Sequence, residues 1–484
     1  MKAALGVIGL AVMGENLVLN MERNGFTVAV YNRTTSRVDE FLATRARGRN
    51  IIPAHSLEEL VAVLERPRKV MLMIKAGTPV DNMIQALIPL MTKGDVIIDG
   101  GNSNFEDTER RMKLVEAAGL LYIGTGVSGG EEGALNGPSI MPGGSREAWP
   151  LVKPVFQAIA AKVGGSFPCC DWIGRGGAGH FVKMVHNGIE YGDMQLICEI
   201  YDIMRKYLRF DSGRMGKIFA EWNGGPLSSY LVEITGQILE YRETDGEYLV
   251  NRILDVAGQK GTGKWTGINA LSEGVPLTLI TESVFARCLS DEKKERTEAA
   301  GVLSGPVPGT VPGTETGGIL HDLHDALYAA KIISYAQGFE LIASAGKHYA
   351  WDLDLGNIAM LWRGGCIIRS VFLEKINDAY KQNPELENLV LAPYFCTLLN
   401  KSQESLRRVV AGAVSSGIPV PSLAAALTWF DGFRCEKLPV NLLQAQRDFF
   451  GAHTYERTDK ERGQFFHTDW TGHGGDTPST TYSV

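Results

Sequence analysis

Between residues 3 and 127 the chain alternates short β-branched apolar runs with amphipathic stretches. Residues 3–8 read as a buried strand, 15–24 as a helix that Gly25 stops, and 27–31 as a second strand. Residues 70–74, 96–99 and 121–127 continue the series, the last closing it. Strands alternating with helices make βαβ units, so the expected fold here is an α/β Rossmann-type domain on a parallel sheet.

From about residue 177 the strand-like runs vanish. Apolar positions at helical spacing fill residues 181–207, 216–239, 323–345, 402–417 and 423–430, which predicts a large all-α domain. Met194-Gln195-Leu196 and Ala336-Gln337-Gly338 are faintly alike and hint at a duplicated helical unit. Residues 302–318, rich in Gly, Pro and Thr, read as a connector, and residues 471–484 as a flexible end unless docked. The pattern divides the chain into 1–176, 177–434 and a C-terminal tail, 435–484.

A length of 484 residues suits two or three domains. The net charge of -7 offers no basic footprint for nucleic acid, although local basic clusters can still bind small anions. Seven cysteines, none in a two-residue spacing, argue against disulfides and zinc and for a reducing compartment. The first residues lack the apolar core and cleavage site of a secretion signal, and no apolar run approaches the ~18 residues of a membrane span. A cytoplasmic, soluble chain without membrane partners is expected.

Gly9-Leu10-Ala11-Val12-Met13-Gly14 follows the first strand and opens the first helix. This is the dinucleotide pattern with Ala11 at the second glycine: a tight turn, a small residue where backbone nears pyrophosphate, and a close helix–strand contact. An NAD site usually has an acid at the end of the second strand. Here the residues are Asn32, Arg33 and Thr34, with Arg37 beyond, and that set favours the 2′-phosphate of NADP. A second glycine-rich stretch, residues 258–264, mimics a phosphate loop of hydrolases, but Trp265 stands where Ser or Thr would hold magnesium. Nucleotide hydrolysis is rejected, and Lys260 and Thr262 remain candidates for a substrate phosphate.

Residues 183–191 carry the densest chemistry. At roughly 100° per residue, Lys183, His186, Asn187, Glu190 and Tyr191 share about 140° of one helix face. A core face would be apolar, so this one suits a polar small-molecule pocket. Ser128, Gly129 and Gly130 at one strand exit and Asn102 at another lie where open α/β sheets bind ligands. His321 and His324 are spaced like ligands on a helix but are read as structural, and no metal is expected.

The stretches GLAVMGENL, YNRT, IDGGNS, GVSGGEEGA, KMVHNGIEYGDMQ, GQKGTGKWT and RDFFGAHTYER occur in that order. On them the chain resembles the 6-phosphogluconate dehydrogenase family over essentially its whole length. The resemblance implies NADP-dependent oxidative decarboxylation of 6-phosphogluconate to ribulose 5-phosphate, the oxidative branch of the pentose phosphate pathway. It implies Lys183 as general base and Glu190 as general acid. It also implies cofactor contacts from the glycine loop, Asn32, Arg33, Thr34, Arg37, Ile74, Lys75, Ala76 and Asn102. Substrate contacts would come from Asn102, Ser128, Gly129, Gly130, His186, Asn187, Tyr191, Lys260, Thr262, Arg287, Arg447 and His453. A homodimer whose tail completes the neighbouring active site is implied as well. Two other readings stay open. One is a dehydrogenase for an unphosphorylated hydroxyacid, which Lys260, Arg287 and Arg447 oppose. The other is an inactive nucleotide-sensing module, which Lys183 and Glu190 oppose.

Overall fold

The computed structural model describes residues 2–306, 316–474 and 479. Residues 307–315 of the expected connector, and the expected flexible end beyond residue 474 save for residue 479, lie outside the described residues. Two compact units divide the chain, Met1–Leu427 and Thr428–Val484.

The first unit begins with β1 (Leu5–Ile8), α1 (Val12–Arg23), β2 (Val28–Tyr31), α2 (Ser36–Ala43), β3 (Ile51–Pro53), α3 (Leu57–Ala62), β4 (Lys69–Leu72) and α4 (Thr78–Leu87). It continues with β5 (Val96–Asp99), α5 (Phe105–Ala117), β6 (Leu121–Val127), α6 (Gly130–Asn136), β7 (Ile140–Gly144) and α7 (Trp149–Ile159). A small hairpin, β8 (Lys162–Val163) with β9 (Phe167–Pro168), and β10 (Gly174–Arg175) complete the sheet region. The main sheet runs β10-β7-β6-β5-β4-β1-β2-β3. Its strands pair in parallel except β6 with β7. The series therefore does not close at residue 127: the antiparallel β7 and then β10 extend the edge. The short β3 was also not foreseen, because three residues carry too little alternation to read.

Strands β1, β4 and β5 are almost wholly buried, as helices on both faces of a parallel sheet require. Two apolar clusters lie on its two sides, one holding Leu5, Val7 and Val30 and the other Ile8, Ala29 and Leu72. The strand order reverses between β4 and β1, and the crevice at that switch point is where such sheets bind ligands.

A helical layer follows: α8 (Ala178–Lys206), α9 (Ser212–Trp222), α10 (Tyr230–Glu240), α11 (Thr262–Ser272), α12 (Thr278–Asp291), α13 (Lys293–Val302) and α14 (Thr316–His348). After these come α15 (Leu355–Leu361), α16 (Leu373–Gln382), α17 (Pro393–Ser415) and α18 (Pro421–Phe433). The single helix expected over 216–239 is two, α9 and α10. Asn223-Gly224-Gly225-Pro226 separates them, since proline lacks the amide and the glycines favour a turn. The long helices α8 and α14 carry the two faintly similar segments and pack on each other through small residues. A Cβ on Gly338 would meet Ile189 Cδ1 at 2.6 Å, and one on Gly192 would meet Ser334 Oγ at 2.8 Å. Between them Lys331 forms a fully buried ion pair with Asp193.

The second unit contains α19 (Val440–Gly451) and a two-stranded hairpin, β11 (Tyr455–Glu456) with β12 (Phe465–Phe466). Asp448 organises it, accepting from Thr454 N, Thr468 N and Trp470 Nε1 and contacting His467.

Candidate active site

The glycine loop leaves β1 at the switch point. Gly9 has φ 107°, and a Cβ there would stand 2.4 Å from Met73 O, so only glycine fits this turn against the end of β4. A Cβ on Gly14 would collide with Gly9 O at 1.9 Å, which lets α1 start directly over the loop. Asn32 Oδ1 accepts from Leu10 N at 3.1 Å, and Arg37 Nη1 reaches Leu10 O at 3.4 Å. Asn32, just past β2, and Arg37, in the first turn of α2, thus brace the loop from within the chain. Arg33 and Thr34 beside them are exposed, and Val12 and Ala11 are exposed too. Ile74, Lys75 and Ala76 follow β4 across the same crevice.

The chemical face sits on α8, and α8 lies against the sheet at unusually short range. A Cβ on Gly126 of β6 would be 2.3 Å from Lys183 Cβ, and one on Gly179 of α8 would be 2.4 Å from Met141 O. These bare positions let Lys183 reach the exit of β6. Its Nζ donates to Ser128 Oγ at 3.0 Å and Asn187 Oδ1 at 2.7 Å and stands 3.1 Å from His186 Nδ1. His186 Nε2 is 3.4 Å from the same Ser128 Oγ, and Glu190 Oε2 is 3.9 Å from His186 Nδ1. Lys183 and His186 are buried and Glu190 is half-buried. Burial lowers the Lys183 pKa from the ordinary lysine value, against the pull of Glu190. Burial raises the Glu190 pKa, against Lys183 and Arg287. It also depresses that of His186, with Lys183 adding to the effect. The pair is thus biased towards a neutral amine and a protonated carboxyl.

Asn102, in the loop after β5, has φ 51° and a buried Oδ1 without a hydrogen-bond partner among the described residues. Gly129, at φ 109°, caps α6 from just before it, and a Cβ there would meet Gly365 O at 2.6 Å. Gly130 follows at φ 60°. Arg287 of α12 lies over the Tyr191 ring, 3.5 Å from its centroid, and donates to Gly258 O at 3.2 Å. Thr262 is the first residue of α11, which touches α8 where Thr266 donates to Met184 O at 2.9 Å, and exposed Lys260 precedes it. No strand leads into this stretch, unlike a phosphate loop of hydrolases. Arg447 and His453 belong to the second unit. Arg447, on α19, donates to Gln444 Oε1 at 3.3 Å, and His453, just past it, lies 3.3 Å from Ser479 Oγ.

Several residues at the site were not singled out by sequence. Trp362 sets its ring edge against His186 at 5.5 Å, and buried Cys366 donates to Trp362 O at 3.0 Å. Thr108 Oγ1 and His180 Nδ1 meet at 2.7 Å beneath the start of α8. Asp99, Ser103, Arg111 and Tyr122 form a buried polar cluster behind Asn102. Isolated residues of these types, far apart in sequence, leave no periodic signal. His321 and His324 both contact Asp325, and among the described residues no group of three or more His, Cys, Asp or Glu side chains is placed to hold a metal.

A dinucleotide crevice at a switch point, faced by a buried lysine and a protonatable carboxyl on one helix, defines a nucleotide-dependent dehydrogenase. Family models agree in both halves. Residues 4–174 match the NAD binding domain of 6-phosphogluconate dehydrogenase, and residues 179–470 match its C-terminal domain. A Treponema pallidum protein named "6-phosphogluconate dehydrogenase, decarboxylating" is 60% identical over 488 residues, covering 100% of both chains. A Homo sapiens protein of the same name is 55% identical over 483 residues, again covering 100% of both. The solved Plasmodium falciparum 6-phosphogluconate dehydrogenase superposes with a TM-score of 0.93 at 46% identity, over 96% of this chain and 100% of that one. It is described in complex with NADP+ and with 6-phosphogluconate. The chain belongs to the 6-phosphogluconate dehydrogenase family.

Proposed function

We infer that the chain oxidises and decarboxylates 6-phosphogluconate to ribulose 5-phosphate and CO2, with reduction of NADP+. One observation carries the assignment of roles: the Lys183 amine is buried and bonded to two oxygen acceptors, Ser128 Oγ and Asn187 Oδ1. With His186 Nδ1 these acceptors fix the direction of the amine, and burial, by lowering its pKa, suits it to take a proton from a substrate hydroxyl. Lys183 takes the proton of the 3-hydroxyl. When bound, the nicotinamide of NADP+ would supply the hydride acceptor for C3. The resulting β-keto acid breaks its C1–C2 bond, CO2 leaves, and the electron pair moves onto the ketone to give an enediol, with Lys183 returning its proton to that oxygen. Glu190, whose pKa burial raises, then delivers a proton to the carbon that lost CO2 while Lys183 takes the enediol hydroxyl proton, leaving the ketone of ribulose 5-phosphate.

Cofactor residues are Gly9, Leu10, Ala11, Val12, Met13, Gly14, Asn32, Arg33, Thr34, Arg37, Ile74, Lys75, Ala76 and Asn102. The close-packed turn at Gly9 and the exposed Arg33 and Thr34 suit a pyrophosphate and a 2′-phosphate. Asn102, Ser128, Gly129, Gly130, His186 and Asn187 hold the carboxylate and hydroxyls, and Tyr191, Lys260, Thr262 and Arg287 hold the phosphate end. Residues 1–176 serve the cofactor, 177–434 the substrate and the dimer, and 435–484 reach a partner subunit with Arg447 and His453. Exposed Ile268 and Leu271 on α11 and Phe285 and Leu289 on α12, with Phe449 and Phe450 on α19, favour association with a second copy. Seven free thiols suit a reducing cytoplasm.

The test is NADPH formation with 6-phosphogluconate, gluconate and 3-hydroxyisobutyrate side by side. Turnover confined to the phosphorylated sugar acid is expected. Preferred turnover of either unphosphorylated acid would overturn the reading.

A further inference from the structure

Arg111 stands on α5, apart from every residue assigned to a ligand, yet its side chain is fully buried. Each of its five N–H bonds has an acceptor. Nε donates to Asp81 Oδ1 at 2.9 Å, and Nη2 to Asp81 Oδ2 at 3.1 Å and Gly77 O at 2.9 Å. Nη1 donates to Ser103 Oγ at 3.0 Å and to Asp99 Oδ2 at 3.3 Å. These acceptors flank two different loops. Gly77 ends the loop after β4, which carries Ile74, Lys75 and Ala76, and Asp81 lies in the first turn of α4. Asp99 and Ser103 bracket Asn102 in the loop after β5.

The two loops also touch directly. A Cβ on Gly101 would lie 2.8 Å from Ile74 O, and one on Gly100 would lie 2.6 Å from Met73 Sδ. Asp99 is held in turn by Gly101 N at 3.0 Å, Ser103 Oγ at 2.6 Å and Tyr122 OH at 3.2 Å. Between these anchors Asn102 keeps a left-handed backbone, strained for a residue with a side chain, and a buried Oδ1 that no group among the described residues satisfies. A strained turn with an unpaired dry acceptor persists only if its surroundings hold it, and the acceptor is then available to a ligand N–H or O–H.

We propose that Arg111 is a positioning residue whose guanidinium fork locks the 74–77 and 99–103 loops into one rigid edge and so aims the Asn102 amide at the bound ligands. The inference rests on the assignment of Asn102 to the ligand site made above. A lysine would keep the positive charge between Asp81 and Asp99 but has no planar fork to span both loops.

The experiment is a double-mutant cycle of Arg111→Lys with Asn102→Ala, read by calorimetric Kd for NADP+ and for 6-phosphogluconate and by kcat/KM. In the parent chain Arg111→Lys should weaken ligand affinity and kcat/KM by about 10- to 100-fold, since small misplacements of positioning groups cost that much. In the Asn102→Ala chain the same change should cost clearly less, the remainder being what the 74–76 loop contributes to NADP+ affinity. An equal factor in both backgrounds, or none in the parent, overturns the proposal, because a loss of general rigidity would not depend on Asn102. If Arg111→Lys does not fold, Ser103→Ala removes one anchor without stranding a charge and enters the same cycle. Should the parent chain make no NADPH from 6-phosphogluconate, the functional reading fails instead, and the cycle is decided on NADP+ affinity.

Discussion

Gly126 and Lys183 are packed so closely that a methyl group on the glycine would stand 2.3 Å from the lysine Cβ and 2.7 Å from its Cγ. The lysine proposed as the base is therefore placed by the absence of a side chain on the strand beneath it. Gly126→Ala should push α8 off β6, lower kcat by at least tenfold, and cost about 1–3 kcal/mol of stability as overpacking does. Thermal melting and steady-state kinetics check both halves. A variant with parental kcat would show that the contact does not set the position of Lys183.

The pKa shifts make a second, less intuitive prediction. The folded Lys183 pKa is lowered, so the unfolded chain binds more protons from that lowered value up to the ordinary lysine value. Its contribution to stability rises with pH through this window and is unfavourable at neutral pH. The folded Glu190 pKa is raised, so its contribution falls as pH rises from the ordinary glutamate value to the raised one. Both groups thus cost stability near neutrality. Lys183→Met and Glu190→Gln should each melt at or above the parental temperature at pH 7 while kcat drops by about 10²–10⁴. Melting well below the parent would mean that the charged forms stabilise the fold.

Arg33, exposed beside the braced glycine loop, is the residue assigned to the 2′-phosphate. Arg33→Ala should weaken NADP+ binding about 10- to 100-fold, the range for a lost hydrogen bond to a charged group. NAD+ binding should hardly change. Equal losses for the two nucleotides in fluorescence titrations would remove Arg33 from cofactor discrimination.

How much of this was legible in the sequence depends on range. The strands at 96–99 and 121–127 and the helix around 183–191 show themselves by local periodicity, and the polar face of that helix is one spatial cluster, as its spacing implies. The break in the 216–239 helix was written at Pro226, but the apolar spacing on either side masked it. Strand β7 was hidden because Pro142 and Gly143-Gly144 do not look like a strand, and its pairing with β6 is a tertiary choice. The polar supports of the site were not legible at all. Arg111, Asp99 and Asp81 lie on three separate elements, and only the sheet brings them together. The same holds for Lys331, whose partner Asp193 is 138 residues away.

The tail prediction separates subunits rather than residues. If Arg447 and His453 serve the neighbouring subunit, a heterodimer of Lys183→Ala and Arg447→Ala chains contains one site with both defects and one with neither. About half of the parental activity per dimer should return if the sites are independent. Purified heterodimer that binds NADP+ but stays inactive would place Arg447 in its own subunit's site, or in none.

The central claim is that Lys183 removes the hydroxyl proton as C3 is oxidised. It is tested most directly by a stopped-flow single turnover of Lys183→Met with saturating 6-phosphogluconate and NADP+. Calorimetry should first show that both ligands still bind. The account then predicts that the fast rise of NADPH absorbance seen in the parent is slowed by about 10²–10⁴, the range for a lost general base. A rise at the parental rate would contradict it.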